Sequence, residues 1–167
     1  GWGVAGLSTI RSCPQTLAQD GARSVNGNER YCLDGQRLIL ASGTYGIAGS
    51  EYKTEIESFS RIKGYGIPGT GRVGYFIVNT KSGLTVEYGN TTNSRNVGLT
   101  VFAQSKVTDR KGNYLNVTYV ADAAASAYYP DRIDYTGNAG TAPALAPFAS
   151  VRFTYQDGRP DIQSGYE

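Results

Sequence analysis

No stretch of this chain sustains the 3.6-residue apolar period of a packed helix. Glycine, asparagine, aspartate and proline instead cut it into short runs rich in β-branched and aromatic residues, the pattern of strands separated by turns. Eight runs read this way: Gln36 to Ala41, Glu51 to Ser58, Val73 to Asn79, Leu84 to Tyr88, Leu99 to Val107, Asn113 to Val120, Arg132 to Tyr135 and Ser150 to Gln156. Alternation in Tyr52-Lys53-Thr54-Glu55-Ile56-Glu57 puts Tyr52, Thr54 and Ile56 on an inner face and Lys53, Glu55 and Glu57 on an outer one. The same logic turns Val151, Phe153 and Tyr155 inward, with Arg152 and Thr154 outward. Lys81-Ser82-Gly83 and Asp109-Arg110-Lys111-Gly112-Asn113 supply residues able to take positive φ, as hairpin turns require. Cys13 to Gln19 has room for one helical turn, Ala121 to Ala127 has helix-forming alanines without an apolar stripe, and Gly140 to Pro147 reads as a loop. The expectation is an all-β chain of antiparallel hairpins in a meander with little helix, one β-rich unit over residues 1–167.

Composition narrows function further. Sixteen Lys and Arg against fourteen Asp and Glu leave a net charge of +2 with the signs interspersed, so no basic footprint for nucleic acid appears. Histidine is absent, which removes the commonest general base and metal ligand and every Ser-His-Asp or Cys-His arrangement. Two cysteines cannot form a four-thiolate zinc site, and no carboxylate cluster suggests a hard cation; no metal and no cofactor is expected. No apolar stretch approaches the ~20 residues of a membrane-spanning helix. Methionine is absent even at position 1, so the chain is expected to be an excised segment of a longer product.

Cys13 and Cys32 close a loop rich in Gly, Asn and Gln. They read either as a disulfide or as two buried free thiols; the scarcity of apolar anchors between them predicts that they lie within bridging distance.

A weak internal echo runs through the second half. Thr108 to Tyr119 places an Asp-x-x-Gly-Asn turn before an alternating strand ending in Tyr, and Phe153 to Arg159 places a Tyr-ended strand before an Asp-Gly-Arg turn. Such hairpin units stack into long sheets, each burying a face that its neighbour provides. These units resemble the YD repeats of Rhs proteins. Longer strings resemble the SpvB-type N-terminal region of insecticidal toxin complex B components: Arg11-Ser12-Cys13-Pro14-Gln15-Thr16-Leu17-Ala18-Gln19-Asp20-Gly21, Tyr31-Cys32-Leu33-Asp34-Gly35-Gln36-Arg37-Leu38, Tyr52-Lys53-Thr54-Glu55-Ile56-Glu57-Ser58-Phe59 and Tyr128-Tyr129-Pro130-Asp131-Arg132-Ile133-Asp134-Tyr135-Thr136-Gly137-Asn138. The resemblance implies a non-catalytic piece of a β-sheet shell that encloses or presents a toxin cargo, secreted or extracellular. Its partners would be the remainder of a larger toxin-like chain or other copies of itself. The chain is short for this pattern, lacking the propeller, a full set of repeats and the autoproteolytic segment.

Three constellations bear on chemistry. Glu55-Ile56-Glu57 has the Glu-x-Glu spacing of ADP-ribosyltransferases, but that family also needs an upstream Arg strand and a Ser-Thr-Ser strand, and here Ser8-Thr9 is followed by Ile10. Strand alternation already explains two outward glutamates, so no enzyme is expected. Trp2, Tyr45, Tyr65, Tyr128 and Tyr129 lie in Gly- or Pro-bounded segments and could offer rings to a sugar, which makes a secreted carbohydrate- or surface-binding β module the alternative function. Gly64 to Gly71 has the glycine count of a phosphate loop without its Lys or its following helix, and reads as a mobile loop. The sequons at Asn90 and Asn116 read as accidental.

Overall fold

A computed structural model describes residues 6–21, 30–67, 69–96, 100–122 and 127–155, with the side chains at 19, 121, 122, 127 and 128 outside the description. Among the described residues there are eleven strands: β1 (Thr9–Cys13), β2 (Arg30–Leu33), β3 (Gln36–Ser42), β4 (Glu51–Thr54), β5 (Arg61–Gly66), β6 (Val73–Asn79), β7 (Thr85–Tyr88), β8 (Val101–Thr108), β9 (Asn113–Asp122), β10 (Ala127–Asn138) and β11 (Ala149–Arg152). One helical turn, α1 (Leu17–Asp20), and a 3-10 turn at Thr92–Ser94 complete the elements.

Each strand pairs antiparallel with the next in chain order, the arrangement expected of successive hairpins. The chain does not remain an open meander, however. β1 also pairs with β8, through Thr9 with Ala103, Ile10 with Phe102 and Arg11 with Val101, and this closes the first eight strands into a barrel. Closure removes the edges that an eight-stranded sheet would expose. β8 then forks. Its first half carries β1 and its second half carries β9, through Lys106 with Asn116, Val107 with Leu115 and Thr108 with Tyr114. β9, β10 and β11 leave the barrel as a three-stranded sheet.

An eight-stranded barrel has an interior just wide enough for side chains to fill. Here aromatic rings fill it. Phe76 meets Phe102 edge to face at 5.1 Å and Tyr31 at 5.1 Å, and Tyr52 packs on Phe76 at 5.9 Å, all of them buried. The polar ends of these rings are satisfied: Gly46 N–H donates to the Tyr52 hydroxyl at 2.9 Å, and Ser50 Oγ lies 2.7 Å from it. Gly89, with φ +71°, makes the bend after β7 where a Cβ would sit 2.7 Å from the Phe102 ring, so the bend needs a residue with neither Cβ nor a negative-φ preference. A second, smaller cluster of Ala103, Val117 and Tyr119, with Ile133 and Leu115 against it, seats β9 and β10 beside the barrel.

Several expected boundaries move. β1, β2 and β5 were not expected as strands: the first two are short and mix polar with apolar residues, and β5 contains Gly64 and Gly66. Gly64-Tyr65-Gly66 is therefore strand rather than mobile loop, and Gly64 is required because a Cβ would lie 2.7 Å from Val73 Cγ2 on β6. The strand expected over Glu51 to Ser58 stops at Thr54, whose hydroxyl donates to the Ile56 carbonyl at 2.7 Å and turns the chain. Tyr52 and Thr54 are buried as alternation predicts, but Ile56 is 70% exposed. Arg132 to Tyr135 is the middle of a longer strand, and residues 121–122 and 127 belong to β9 and β10 in place of a helix. Val151 and Tyr155 are exposed rather than inward, because nothing among the described residues is layered behind β11. The Asp-Gly-Arg turn of the echo lies outside the described residues.

Phe102 sits where barrel closure and core packing coincide. Phe102→Ala is expected to cost about 3–5 kcal/mol, read as a lower urea midpoint at an unchanged m-value, the value expected if the barrel stays intact around a cavity.

Candidate functional site

After β1, residues 14–21 meet side chains of β2 and β3 in a polar cluster. Cys13 faces Arg30 and Cys32 faces Arg11 in the β1–β2 register, so the two cysteines sit diagonally across one face. They are joined by a disulfide, with Cα atoms 5.9 Å apart. Inside the loop, α1 ends on Asp20, whose carboxylate accepts the Thr16 N–H at 2.9 Å, Arg30 Nε at 2.7 Å and Arg37 Nη2. One carboxylate thereby ties α1 to both β2 and β3. Its side chain is 5% exposed. The Arg30 hydrogen bond, against the opposing effect of burial and with help from Thr16 and Arg37, holds its pKa down at about 2.

Next to this cluster, Tyr45 stacks on Tyr31 at 5.6 Å between ring centroids and carries the Arg30 guanidinium over its ring at 4.5 Å. The Tyr45 hydroxyl accepts the Tyr31 N–H at 2.7 Å and donates to the Leu38 carbonyl at 3.2 Å. Burial pushes its pKa up to about 12. Together Asp20, Arg30, Arg37, Tyr45, Glu55 and the Leu38–Leu40 stretch of β3 wall a cleft of about 470 Å³. Its chemistry is that of a clasp: Asp20 is held ionised, the opposite of what a general acid needs, and Tyr45 is held protonated.

The other candidates are scattered. Tyr65 on β5 stands opposite Tyr75 on β6, their rings stacked at 5.1 Å with Lys63 Nζ 5.8 Å away. Tyr129 on β10 packs on Tyr155 at 4.4 Å, and the Tyr155 hydroxyl donates to the Pro130 carbonyl at 2.6 Å. Trp2 lies outside the described residues; the Tyr128 backbone belongs to β10 and its side chain is outside the description. Tyr45, Tyr65 and Tyr129 therefore form no common platform. Glu55 and Glu57 sit in the β4–β5 connection, where Glu57 accepts the Phe59 N–H at 2.7 Å. Among the described residues no group of three metal-ligating side chains occurs, and no helix is long and apolar enough to cross a membrane. Asp20, Arg30 and Arg37 escaped the sequence reading because their meeting depends on strand register across three elements.

Solved structures share a likeness of fold with this chain. The likeness is to toxin components. The N-terminal domain of effector protein SpvB from Salmonella typhimurium strain LT2 superposes with a TM-score of 0.62 at 14% identity, over 81% of this chain and 54% of that one. The TcdB2-TccC3-Cdc42 structure gives 0.61 at 15% identity, and the Photorhabdus luminescens Tc holotoxin pore 0.59 at 16%, each over 81% of this chain and 8% of the other. This chain thus spans about half of the SpvB domain and under a tenth of the toxin-complex chains. At such identities the shared property is the fold. No family model matches the sequence, and no curated protein does.

Two measurements check the clasp. Cys13→Ser with Cys32→Ser is expected to cost about 3 kcal/mol in denaturant unfolding, from the entropy that the cross-linked loop removes from the unfolded chain. Asp20 has a folded pKa below its unfolded one, so the stability it contributes is present above about pH 4 and is lost as pH falls towards about 2. Asp20→Asn is expected to lower stability at pH 7 and to flatten that acid limb, seen by comparing urea midpoints from pH 7 down to pH 2.

Proposed function

We propose that this chain is a non-catalytic structural segment of an SpvB-type region, of the kind found in toxin-complex and Rhs (YD-repeat) proteins. Its work is to form part of a wall that encloses or presents a toxin cargo in a secreted, extracellular protein. Its partners are the remainder of a longer toxin-like chain or, for the isolated chain, other copies of itself. The observation that carries this reading is the fork at β8. A binding module gains nothing from strands that run past a closed barrel, whereas a wall is extended by them, and β9–β11 end on an edge with no further strand among the described residues. The likeness of fold to the SpvB domain and the toxin-complex structures supports it. The packed barrel interior supports it too, since aromatic side chains occupy the space where small barrels hold ligands.

A second reading, a carbohydrate- or surface-binding module, draws on the half-exposed Tyr65–Tyr75 stack, whose rings could take the apolar face of a sugar. Sedimentation velocity with hydrogen exchange separates the two. The wall reading expects concentration-dependent association that protects a strand edge from exchange; a monodisperse monomer that binds a glycan array and loses that binding in Tyr65→Ala would replace it with the module. Turnover of a nicotinamide dinucleotide that disappears in Glu55→Gln with Glu57→Gln would overturn the non-catalytic reading.

A further inference from the structure

Among the described residues β11 is the last strand of the outer sheet, and its outer edge carries a chemical pattern of its own. On one face of the outer sheet Arg132 and Arg152 stand directly opposite each other, a like-charge pair that costs stability unless neutralised. Asp134 takes Arg132 Nε at 2.9 Å. Arg152 is exposed and has no ion pair among the described residues. On the other face Val151 stands opposite Ile133, which packs into the Val117 cluster, so an apolar strip runs from the barrel across β9 and β10 and stops at Val151, 46% exposed. The backbone is aligned with this pattern. The Phe153 N–H donates to the Asp131 carbonyl at 2.9 Å, so antiparallel alternation turns the N–H and C=O of Ser150 and Arg152 away from β10, towards the open side.

We propose that this edge is the docking site for one extended strand bearing a carboxylate opposite Arg152 and apolar side chains on the face of Val151. The strand adds main-chain hydrogen bonds at Ser150 and Arg152, supplies the second carboxylate that two arginines need, and continues the apolar strip. A second copy is a poor occupant: Ala149–Arg152 contains no acidic residue, and an antiparallel copy puts Ser150 or another Arg152 against Arg152. The proposal rests on the wall reading and gives the next strand of the wall a chemistry.

The test uses two nine-residue strand peptides, valine-flanked with Glu or Lys at the centre and N-methylated on alternate residues so that each presents a single pairing edge. Binding to the whole chain is followed by fluorescence anisotropy. The Glu peptide is expected to bind roughly fivefold more tightly than the Lys peptide, Arg152→Glu to reverse that preference, and Arg152→Gln to abolish it. Ser150→Pro, which removes an outward N–H without taking a bond from β10, is expected to weaken both peptides. Equal affinity for the two peptides, or a preference that survives Arg152→Glu, overturns the charge pattern while leaving the edge open and the wall reading standing. Failure of both peptides on a chain that self-associates through β11 overturns the proposal by making a second copy the occupant.

Discussion

Three residue pairs between β1 and β8 decide the shape of everything else. Until Thr9, Ile10 and Arg11 find Ala103, Phe102 and Val101, the first eight strands form an open sheet with two edges and no enclosed interior. Once they pair, the inward side chains have nowhere to go but into one another, and the edge-to-face cluster of Tyr31, Tyr52, Phe76 and Phe102 becomes the core. The pairing is distant in sequence, so it carries a large loop-closure cost that local contacts cannot offset by themselves. The disulfide and the Asp20 clasp act on that cost. The first joins β1 to β2 and removes unfolded conformations, and the second draws α1 onto β2 and β3.

The same closure limits what the barrel can do. A packed interior leaves the outside, the mouths and the β9–β11 sheet as working surfaces. The clasp is built from groups whose protonation is fixed by their neighbours, Asp20 ionised between two guanidiniums and Tyr45 kept neutral by burial. Both groups keep one protonation state around neutral pH, Asp20 through its guanidinium partners and Tyr45 through burial.

Much of the strand pattern was legible because it is local. Val73–Asn79 is dense in β-branched and aromatic residues, and the Lys81-Ser82-Gly83 turn after it has the hydrogen bond from Gly83 N–H to the Thr80 carbonyl that its glycine predicts. β1 and β5 were illegible for opposite reasons. Thr9–Cys13 has little strand character of its own and takes its conformation from β2 and β8, and β5 carries glycines because neighbouring side chains need the room. Alternation placed Tyr52 and Thr54 correctly and failed at Ile56, where a threonine hydroxyl bonds the chain out of the sheet. It failed again at Val151, since period-two alternation says which residues share a face and not whether anything covers that face. The candidate aromatics were chosen by loop context, whereas the clasp at Asp20 is a product of register.

The fork at β8 also divides one strand between two attachments. β1 holds residues 101–103 of β8 and β9 holds 106–108, so the two attachments share the strand without sharing a hydrogen bond. Loss of the β9 pairs therefore leaves the three β1–β8 pairs that close the barrel with their own hydrogen bonds. One eight-residue strand thus serves two sheets, sealing the barrel with its first half and carrying the outer sheet on its second.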